Sequence, residues 1–474
     1  MYMHVRDQLY IDGKWIDASK KGSIDVINPA TEEIIGKVPI GSSEDVDKAV
    51  AAAKSAFETW SKSDINQRIE VLNALSNAFK ERGEELAQTI TAEVGTPIGY
   101  SRVAMVGTPR VVSRSYAKIL ENFSWEEEVR NSLICKEPVG VCAFITPWNF
   151  PLHQIIGKVA PAIAAGCTMI LKPSKEAPLS AFILADILDE IGLPAGVFNL
   201  VSGHGSDIGN YMSSHPDVDM VSFTGSTGAG VSVSQSAAPT IKRVTLELGG
   251  KSANVALDDA DPVLVAKKAI GACHQNSGQT CSALTRLIIP EGMNEQICEI
   301  IAGKNDSYLV GNPLDENTRC GPMVSSRQQT SVTEYIQSGI NEGAILISGG
   351  LGMPDGIDKG FYVKPTIFAN VTQDMRIWKE EIFGPVLVIT TYKNESEALS
   401  LANDSVYGLS GGVWSASNER AIEFAKKMRT GQISVNGGAF NVSAPFGGYK
   451  LSGNGRELGT HGLEEFLEIK AIQM

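Results

Sequence analysis

Val139-Gly-Val-Cys-Ala-Phe-Ile-Thr146 is the first of several short apolar runs, and their alternation with helical segments predicts the fold class of this chain. Four similar β-rich runs follow it, at residues 168–171, 197–201, 218–223 and 244–248. Helical patterns lie between them, for example at residues 177–191 and 226–236. Strands that alternate with helices at this spacing predict a parallel sheet covered by helices on both faces.

A second series of the same kind follows Gly250. Its β-rich runs lie at residues 253–257, 285–289, 344–347, 386–392, 411–414 and 432–435. The change of composition at Leu248-Gly-Gly-Lys251 is the natural boundary between two α/β domains. Nearer the N-terminus, Ser43 begins a predicted helix that runs to Trp60, and Asp64 begins a longer one that runs to Ile90.

The expected fold class is therefore α/β, with two doubly wound, Rossmann-like domains and a small β ribbon. The first domain is expected to span residues 1–119 and 139–249, and the second residues 250–455. Residues 123–134 alternate weakly in polarity and predict the ribbon, which the closing segment 464–474 or another subunit can extend. Residues 120–138 and 456–474 are thus expected to form an oligomerisation segment, in a homodimer or homotetramer.

Composition excludes several classes of protein. A chain of 474 residues with 43% hydrophobic and 20% charged residues is typical of a globular protein of two or three domains. The net charge of -13 argues against general affinity for nucleic acid or an anionic membrane. There is no signal-peptide pattern at the N-terminus and no apolar run of about 18 residues, so neither secretion nor a membrane span is expected.

The seven cysteines, at positions 135, 142, 167, 273, 281, 298 and 320, are scattered and none forms a C-x-x-C pair. This spacing predicts neither a disulfide framework nor a metal site, and it fits a reducing, cytoplasmic setting. Cys281 differs from the others because it lies in the loop Gly278-Gln-Thr-Cys-Ser282. A reachable thiolate there can act as a nucleophile, whereas the alternative is a cysteine that only fills the core.

Three further stretches suggest chemistry. Phe223-Thr-Gly-Ser-Thr-Gly228 follows a predicted strand and begins a helix, where backbone N–H groups can face a pyrophosphate. Thr146-Pro-Trp-Asn-Phe-Pro151 is a stiff loop at the carboxyl end of a strand, and its Asn149 amide can donate to a developing oxyanion. Glu247 ends an apolar strand, where burial would raise its pKa towards the range of a general base. A glycine turn, a capping asparagine and a salt-bridged glutamate are the structural alternatives.

Together these residues resemble the aldehyde dehydrogenase superfamily over nearly the whole chain. The motifs that carry the resemblance are Pro147-Trp-Asn-Phe-Pro151, Lys172-Pro-Ser174, Phe223-Thr-Gly-Ser-Thr227, Leu246-Glu-Leu-Gly-Gly-Lys251, Gly278-Gln-Thr-Cys281, Glu380-Glu-Ile-Phe-Gly-Pro385, Pro445-Phe-Gly-Gly-Tyr-Lys450 and Ser452-Gly-Asn-Gly-Arg-Glu-Leu-Gly459. The resemblance implies a cofactor-binding first domain, a catalytic second domain and oxidation of an aldehyde to a carboxylic acid with NAD or NADP.

The resemblance also implies roles for individual residues. Cys281 would be the nucleophile, Asn149 with the backbone N–H of Cys281 would hold the oxyanion, and Glu247 would activate the water that hydrolyses the thioester. Lys158 and Glu457 match positions linked to proton relay and site organisation. The residues matching the cofactor site are Thr146, Pro147, Trp148, Lys172, Ser174, Lys175, Gly225, Ser226, Leu248, Glu381 and Phe383.

One position departs from the family pattern. NAD-preferring members often have a glutamate three residues after the lysine that matches Lys172, but Lys175 occupies that place here and Glu176 follows it. Because an ammonium attracts a 2′-phosphate and a carboxylate repels it, acceptance of NADP is predicted. In the alternative, Lys175 points to solvent and Glu176 takes over the role of the glutamate.

The substrate is expected to be a small-molecule aldehyde. Gly157 matches a position that is often bulkier in the family, and Phe150 and Phe440 are expected walls, which together predict a roomy, mostly apolar entrance. No arginine is clearly placed to bind a second carboxylate, which disfavours a semialdehyde specialist. Two other functions stay open: a CoA-acylating aldehyde dehydrogenase, which usually lacks the glutamate at Glu247, and a catalytically silent structural or binding protein of the same fold.

Overall fold

The computed structural model describes residues 4–474, and two large, mostly parallel sheets organise it. The first sheet has eight strands, in the spatial order Gly453–Asn454, Arg243–Glu247, Met220–Thr224, Val141–Ile145, Thr168–Lys172, Phe198–Leu200, Gln8–Ile11 and Lys14–Asp17. The five strands from Arg243–Glu247 to Phe198–Leu200 are parallel, and the three outer strands pair antiparallel. The predicted α/β class and all five predicted strands of this series are confirmed.

The second sheet has seven strands. Their order is Ile345–Ser348, Thr366–Ala369, Val386–Tyr392, Arg286–Pro290, Ala253–Ala256, Ser410–Trp414 and Gln432–Val435. All neighbours pair in parallel except Ile345–Ser348, which runs antiparallel at one edge. Each strand of the second predicted series is therefore present, within one or two residues at its ends.

Helices cover both faces of the two sheets, as the alternation of the sequence predicts. The longer ones are Ser43–Trp60, Ile65–Glu81, Gly83–Val94, Thr108–Leu120, Pro151–Ala165, Leu179–Glu190, Thr227–Ala237, Pro262–His274, Asn294–Asp306, Ser326–Asn341, Glu395–Asn403 and Asn418–Ala425. The prediction of one helix from Asp64 to Ile90 is wrong, because the first helix ends before Arg82 and a second helix begins at Gly83. The Arg82 backbone lies outside the helical region, with φ -96° and ψ 17°.

The burial of single strands explains why both faces need a cover. Along Val141–Ile145, Cys142 and Phe144 belong to one hydrophobic cluster and Ala143 belongs to the cluster on the opposite face. Successive strand residues point to opposite faces, so a strand that is apolar at every position must be buried on both sides. Removal of a large apolar side chain such as Phe144 from water contributes about 1.5–3 kcal/mol.

A third, antiparallel sheet consists of Leu467–Gln473, Ser132–Pro138 and Glu126–Val129. The closing strand pairs with the ribbon within the chain, in a register that runs from Leu467 opposite Pro138 to Gln473 opposite Ser132. The closing strand carries two exposed apolar side chains, Ile469 and Ile472. Within residues 4–474, no helix is long and apolar enough to cross a membrane.

Candidate active site

The loop before Cys281 has an unusual backbone. The 3₁₀ helix Gln275–Gly278 follows the helix Pro262–His274, and Asn276, Ser277 and Gly278 all adopt positive φ angles of 50°, 56° and 73°. A side chain at Gly278 would place its Cβ 2.1 Å from the carbonyl oxygen of Gly384. Only glycine fits there, because the backbone conformation is left-handed and the backbone of Gly384 is in direct contact. The sequence Gly278-Gln-Thr-Cys281 thus encodes a sharp turn that ends at the thiol.

Buried side chains hold this loop in place. The Ser277 hydroxyl donates to the Gly321 carbonyl (3.0 Å) and accepts from the Gly321 N–H (2.9 Å). The Gln279 side-chain oxygen accepts from the Val324 N–H at 2.9 Å. Strained backbone persists only where the surroundings hold it, and these bonds supply that hold. Ser277 and Gln279 carry no local sequence signal for this role, because their partners lie more than 40 residues away along the chain.

Asn149 lies directly against the nucleophile loop. Its side-chain N–H₂ donates to the carbonyl oxygen of Gln279 at 3.1 Å, and its own backbone carbonyl accepts from the Asn276 amide at 2.9 Å. The side chain is buried. An amide that uses one N–H for this bond keeps a second N–H for another acceptor. Asn149 and Cys281, 132 positions apart in the sequence, are therefore neighbours in the fold.

The Cys281 thiol is partly exposed to a cavity, yet its surroundings disfavour the thiolate. Burial raises the pKa of this thiol to about 12, and the carboxylates of Glu381 and Glu247 add to the rise. A hydrogen bond from the Ser282 backbone opposes the shift. The thiol is thus protonated at neutral pH in the protein without ligand, and it needs a proton acceptor or a nearby positive charge before it can react.

Glu247 ends the strand Arg243–Glu247, and its carboxyl group is buried. Within residues 4–474, neither of its oxygens has a hydrogen-bond partner. Burial raises the pKa of this carboxyl well above its ordinary value, the Glu457 carboxylate raises it further, and the Lys158 ammonium opposes the shift. A buried carboxyl with free oxygens is costly for stability and is a feature of groups that transfer protons.

Lys158 and Glu457 form a buried ion pair next to Glu247. The Lys158 ammonium contacts the Glu457 carboxylate and also donates to the Thr224 hydroxyl at 2.7 Å. Thr224 is paired with Glu247 across adjacent parallel strands. The Glu457 carboxylate also lies against Gly157, where an added Cβ would be 3.1 Å from Oε2. These contacts link a lysine, a threonine and two carboxyl groups in one cluster.

Candidate residues for binding a dinucleotide lie at the carboxyl ends of the strands of the first sheet, and this group of residues is called the shelf below. Thr146 follows the strand Val141–Ile145, and its buried hydroxyl has no partner within residues 4–474. The Lys172 ammonium is buried, and among residues 4–474 it donates only to the neighbouring Pro173 carbonyl (2.8 Å). Burial lowers its pKa to about 8, with Lys175 adding to the decrease. Buried polar groups with so few partners suit a polar ligand such as a ribose.

The helix Thr227–Ala237 starts at the same edge. Ser226 is its N-cap and accepts from the Ala229 N–H, while Gly225 donates its N–H to the Glu247 carbonyl. An added Cβ at Gly228 would meet nothing within 4 Å, so the space before this helix end is open. The free N–H groups and the helix dipole make such an end suitable for a pyrophosphate.

Trp148, Leu248, Glu381 and Phe383 complete the shelf. The Trp148 and Phe383 rings meet edge to face, with centroids 5.4 Å apart, and Leu248 is buried beside the helix Thr227–Ala237. The Glu381 carboxylate accepts from the Gly250 N–H at 2.9 Å, and burial raises its pKa to about 7. The residues present thus fit a dinucleotide: a cation and hydroxyls at one end, a helix N-terminus in the middle, and a carboxyl with aromatic rings near Cys281.

Ser174, Lys175 and Glu176 form the outer end of the shelf. The Ser174 hydroxyl accepts from the Glu176 N–H at 3.2 Å, and the Lys175 ammonium lies 3.4 Å from the Glu176 carboxylate. Both charged side chains are partly exposed. The ion pair places a positive and a negative group at the same edge, so the two charges offset each other there.

Cys281 lies in a cavity of about 800 Å³ on the side of the loop that faces the second sheet. The residues that line it include Tyr100, Ala104, Thr108, Phe150, His153, Gln154, Lys267, Lys268, Gly271, Ala272, Gln275, Phe440, Asn441 and Phe446. Phe150 and Phe440 are among them, so the roomy, mostly apolar entrance is present as predicted. Gly157 is not among them, and the expectation that it opens this entrance is wrong, because it faces the Glu457 carboxylate instead.

The chain is similar to known proteins over nearly its whole length. The model of the aldehyde dehydrogenase family matches residues 15–472. A 3-succinoylsemialdehyde-pyridine dehydrogenase from a Pseudomonas species is 49% identical, with 98% of each chain covered. A putative aldehyde dehydrogenase from Staphylococcus epidermidis is 44% identical over 98% of each chain.

Solved structures are equally similar. Aldehyde dehydrogenase C from Pseudomonas syringae, a variant in complex with NAD+ and octanal, has a TM-score of 0.98 and 47% identity, and the match covers 98% of this chain and 96% of that one. A Mycobacterium tuberculosis aldehyde dehydrogenase in complex with NAD+ has a TM-score of 0.97 and 40% identity, with 100% and 99% covered.

The chain belongs to the aldehyde dehydrogenase family. The predictions of the family, of the α/β fold and of a nicotinamide-dependent aldehyde oxidation that produces an acid are confirmed.

Proposed function

We propose that this protein oxidises an elongated, mostly apolar aldehyde to its carboxylic acid with NAD+, through a covalent intermediate on Cys281. One observation carries the proposal: Asn149 and the buried carboxyl of Glu247 flank a thiol that opens to a cavity of about 800 Å³. NAD+ is the ligand of several related structures, and octanal is the ligand of one of them. The shelf residues described above are the proposed cofactor site.

In the first step, the Cys281 sulfur adds to the carbonyl carbon and the thiol proton passes to water or to Glu247. The carbonyl oxygen becomes an oxyanion, which the free N–H of the Asn149 amide and the Cys281 backbone N–H stabilise in a dry pocket. Since burial opposes the thiolate, the positive nicotinamide ring is the proposed source of its stabilisation. When bound, NAD+ supplies a hydride acceptor, and the loss of hydride from the aldehyde carbon leaves a thioester on Cys281.

Glu247 acts in the second step. In its ionised form the carboxylate removes a proton from water, and the resulting hydroxide attacks the thioester carbon. The C–S bond breaks, the acid leaves, and the sulfur regains a proton from Glu247. The ion pair of Lys158 with Glu457, linked to Thr224, lies beside this carboxyl. It is the proposed route by which the thiol proton given up in the first step leaves the site, so that Glu247 is ionised again for the second step.

Three further assignments are proposals of the same kind. The first sheet and its helices form the cofactor domain, and the second sheet forms the catalytic domain. The ribbon Ser132–Pro138 with the closing strand Leu467–Gln473 joins subunits in a homodimer or homotetramer, which the exposed Ile469 and Ile472 support. NADP is accepted beside NAD+ because Lys175 stands at the outer end of the shelf.

One experiment separates this function from its two alternatives. Reduced-cofactor absorbance is followed with a panel of aldehydes, with and without CoA, for the wild type and Cys281→Ala. We expect turnover without CoA in the wild type, at least a thousandfold loss in Cys281→Ala, and unchanged cofactor binding in that variant. Cys298→Ala, on a distant helix, is the matched control and keeps its activity. Turnover that requires CoA supports the acylating enzyme, and no turnover on any aldehyde supports a silent member of the fold.

A further inference from the structure

The cavity at Cys281 has an outer branch, and the helix Pro262–His274 forms one of its walls. Lys267, Lys268, Gly271 and Ala272 line the cavity, followed by Gln275 just beyond the helix. These positions recur every three or four residues, so they share one helical face that leads towards the loop of Cys281. At 1.5 Å per residue, Lys267 and Gln275 are separated by roughly 12 Å along the helix axis.

The opposite wall comes from the first part of the chain. Tyr100, Ala104 and Thr108 line it, from the π-helix Ser101–Gly107 and its two flanking residues. The Tyr100 hydroxyl donates to the Gln275 side-chain oxygen at 3.3 Å, which joins the two walls at the inner end. Tyr100 and Cys281 line the same cavity, so this end lies near the nucleophile. Burial raises the pKa of Tyr100 to about 12, and Cys281 adds to the rise.

Small side chains keep the middle of the branch open. Ala104 and Gly271 each lie about one turn outward from the joined pair Tyr100 and Gln275. A Cβ added at Gly271 would meet nothing within 4 Å, so no neighbour requires a glycine there. Glycine in the interior of a helix is destabilising relative to alanine. Packing therefore does not explain the glycine at position 271. Its effect is to leave the path past the helix unobstructed.

The outer end of the branch carries positive charge. Lys267 and Lys268 are exposed, and no carboxylate of residues 4–474 lies within ion-pairing distance of either ammonium. The cavity lining contains no aspartate or glutamate, and burial lowers the pKa of its only histidine, His153, to about 4, so that histidine is neutral. In a protein with a net charge of -13, this is a local reversal of sign that attracts anions.

We propose that this branch binds the far end of an elongated aldehyde that carries a carboxylate, so that ω-oxo carboxylates are the preferred substrate class. The aldehyde carbon lies at Cys281, the chain passes between Ala104 and Gly271, and the carboxylate ends near Lys267 and Lys268. The inference rests on the proposed function of Cys281 and names its substrate class. This proposal reverses the expectation from the sequence that a semialdehyde specialist is disfavoured. No arginine is placed to bind the second carboxylate, but Lys267 and Lys268 supply positive charge in the cavity lining.

The first test compares three substrates in the wild type: propanal, octanal and 8-oxooctanoate. At low ionic strength we expect kcat/KM for 8-oxooctanoate to exceed that for octanal by about fivefold, the scale of one or two exposed ion pairs. Because exposed charges are screened, this ratio falls towards one as the salt concentration rises to about 1 M. Equal values for octanal and 8-oxooctanoate at low salt would overturn the proposal.

Variants then separate charge from length. Lys267→Met with Lys268→Met is expected to bring the ratio of 8-oxooctanoate to octanal down to about one, while Lys304→Met, an exposed lysine outside the cavity, keeps the wild-type ratio. Gly271→Leu is expected to lower the ratio of octanal to propanal about tenfold, because the added side chain fills the branch. Gly303→Leu, on a helix that does not line the cavity and with open space at its Cβ, keeps that ratio and serves as the matched control.

Failure of this proposal differs from failure of the proposed function. A double lysine variant that keeps the preference for 8-oxooctanoate contradicts the anionic subsite alone. No turnover of propanal, octanal or 8-oxooctanoate, or turnover that persists in Cys281→Ala, contradicts the function of the site itself.

Discussion

The side-chain amide of Asn149 donates a hydrogen bond of 3.1 Å to the backbone carbonyl of Gln279, two residues before Cys281. The bond connects a loop of the first sheet to the loop that carries the thiol. It uses one amide N–H and leaves the other available at the thiol, so the same side chain positions the nucleophile loop and can donate to the oxyanion.

Asn149→Ala is expected to lower kcat about 10²- to 10³-fold, the usual effect of removing one oxyanion donor. Since the Gln279 carbonyl also loses its partner, a decrease of about 1 kcal/mol in the free energy of unfolding is expected as well. Stopped-flow absorbance and thermal unfolding measure the two effects separately. Asn317→Ala, at an exposed turn, is the control and changes neither. A kcat within a factor of three of the wild type would remove Asn149 from the mechanism.

Glu247→Gln is expected to slow hydrolysis of the thioester while it leaves acylation largely intact. A burst of reduced cofactor close to one per site, followed by turnover at least a hundredfold slower, is the expected trace. In the wild type the base works in its ionised form, so the rate of this step rises with pH through the raised pKa of Glu247. This rise of the rate with pH should disappear in Glu247→Gln and persist in Glu58→Gln, an exposed surface control. Steady turnover without a burst in Glu247→Gln contradicts the assignment.

The thiol pKa of Cys281 is expected to fall when NAD+ binds. Without ligand, burial and two carboxylates hold this pKa near 12, so alkylation by iodoacetamide should be slow at neutral pH and accelerate only in strong base. The positive nicotinamide ring favours the thiolate and should shift the pH profile of alkylation downward. Mass spectrometry of the peptide that contains Cys281 distinguishes its modification from that of Cys135 and Cys298. A profile that NAD+ leaves unchanged would rule out this activation.

Lys175→Glu is expected to shift cofactor preference towards NAD+. The substitution replaces an ammonium that attracts a 2′-phosphate with a carboxylate that repels it, and the resulting change in the NADP-to-NAD+ ratio of kcat/KM should be about tenfold or more. Initial rates with both cofactors at fixed ionic strength measure it. Glu176→Gln removes the partner of the ion pair and should raise the ratio instead. A wild type with a strong preference for NAD+ would show that Lys175 does not act on the 2′-position.

Gly278→Ala is expected to destabilise the protein by more than about 1 kcal/mol, because φ is 73° and the new Cβ would fall 2.1 Å from a carbonyl oxygen. Gly303→Ala, in the helix Asn294–Asp306 and with open space at its Cβ, should stabilise by up to about 1 kcal/mol. Denaturant unfolding of both variants measures the difference. Equal midpoints for the two variants would show that the turn before Cys281 is not under this constraint.

Much of the fold follows from local pattern. Each β-rich run predicted by its apolar composition is a strand, because a strand in a parallel sheet must be apolar on both faces and so differs in sequence from everything around it. Prediction failed where an element depends on tertiary contacts. No proline marks the end of the helix before Arg82. The strand Gly453–Asn454 has a polar sequence and forms because it pairs with the edge of Arg243–Glu247.

The family and most strands of both sheets follow from local sequence motifs, although the buried strand Thr366–Ala369 was not predicted. The same short motifs, with their fixed neighbours, are the basis on which Cys281, Asn149 and Glu247 are proposed as site residues. That Gly157 faces Glu457, and that Gly271, Lys267 and Tyr100 share one cavity, became visible in the folded structure alone. The physical reason is distance along the chain: a motif records which residues are adjacent in sequence, whereas the shape and charge of a cavity depend on side chains from segments that meet only when both sheets have packed.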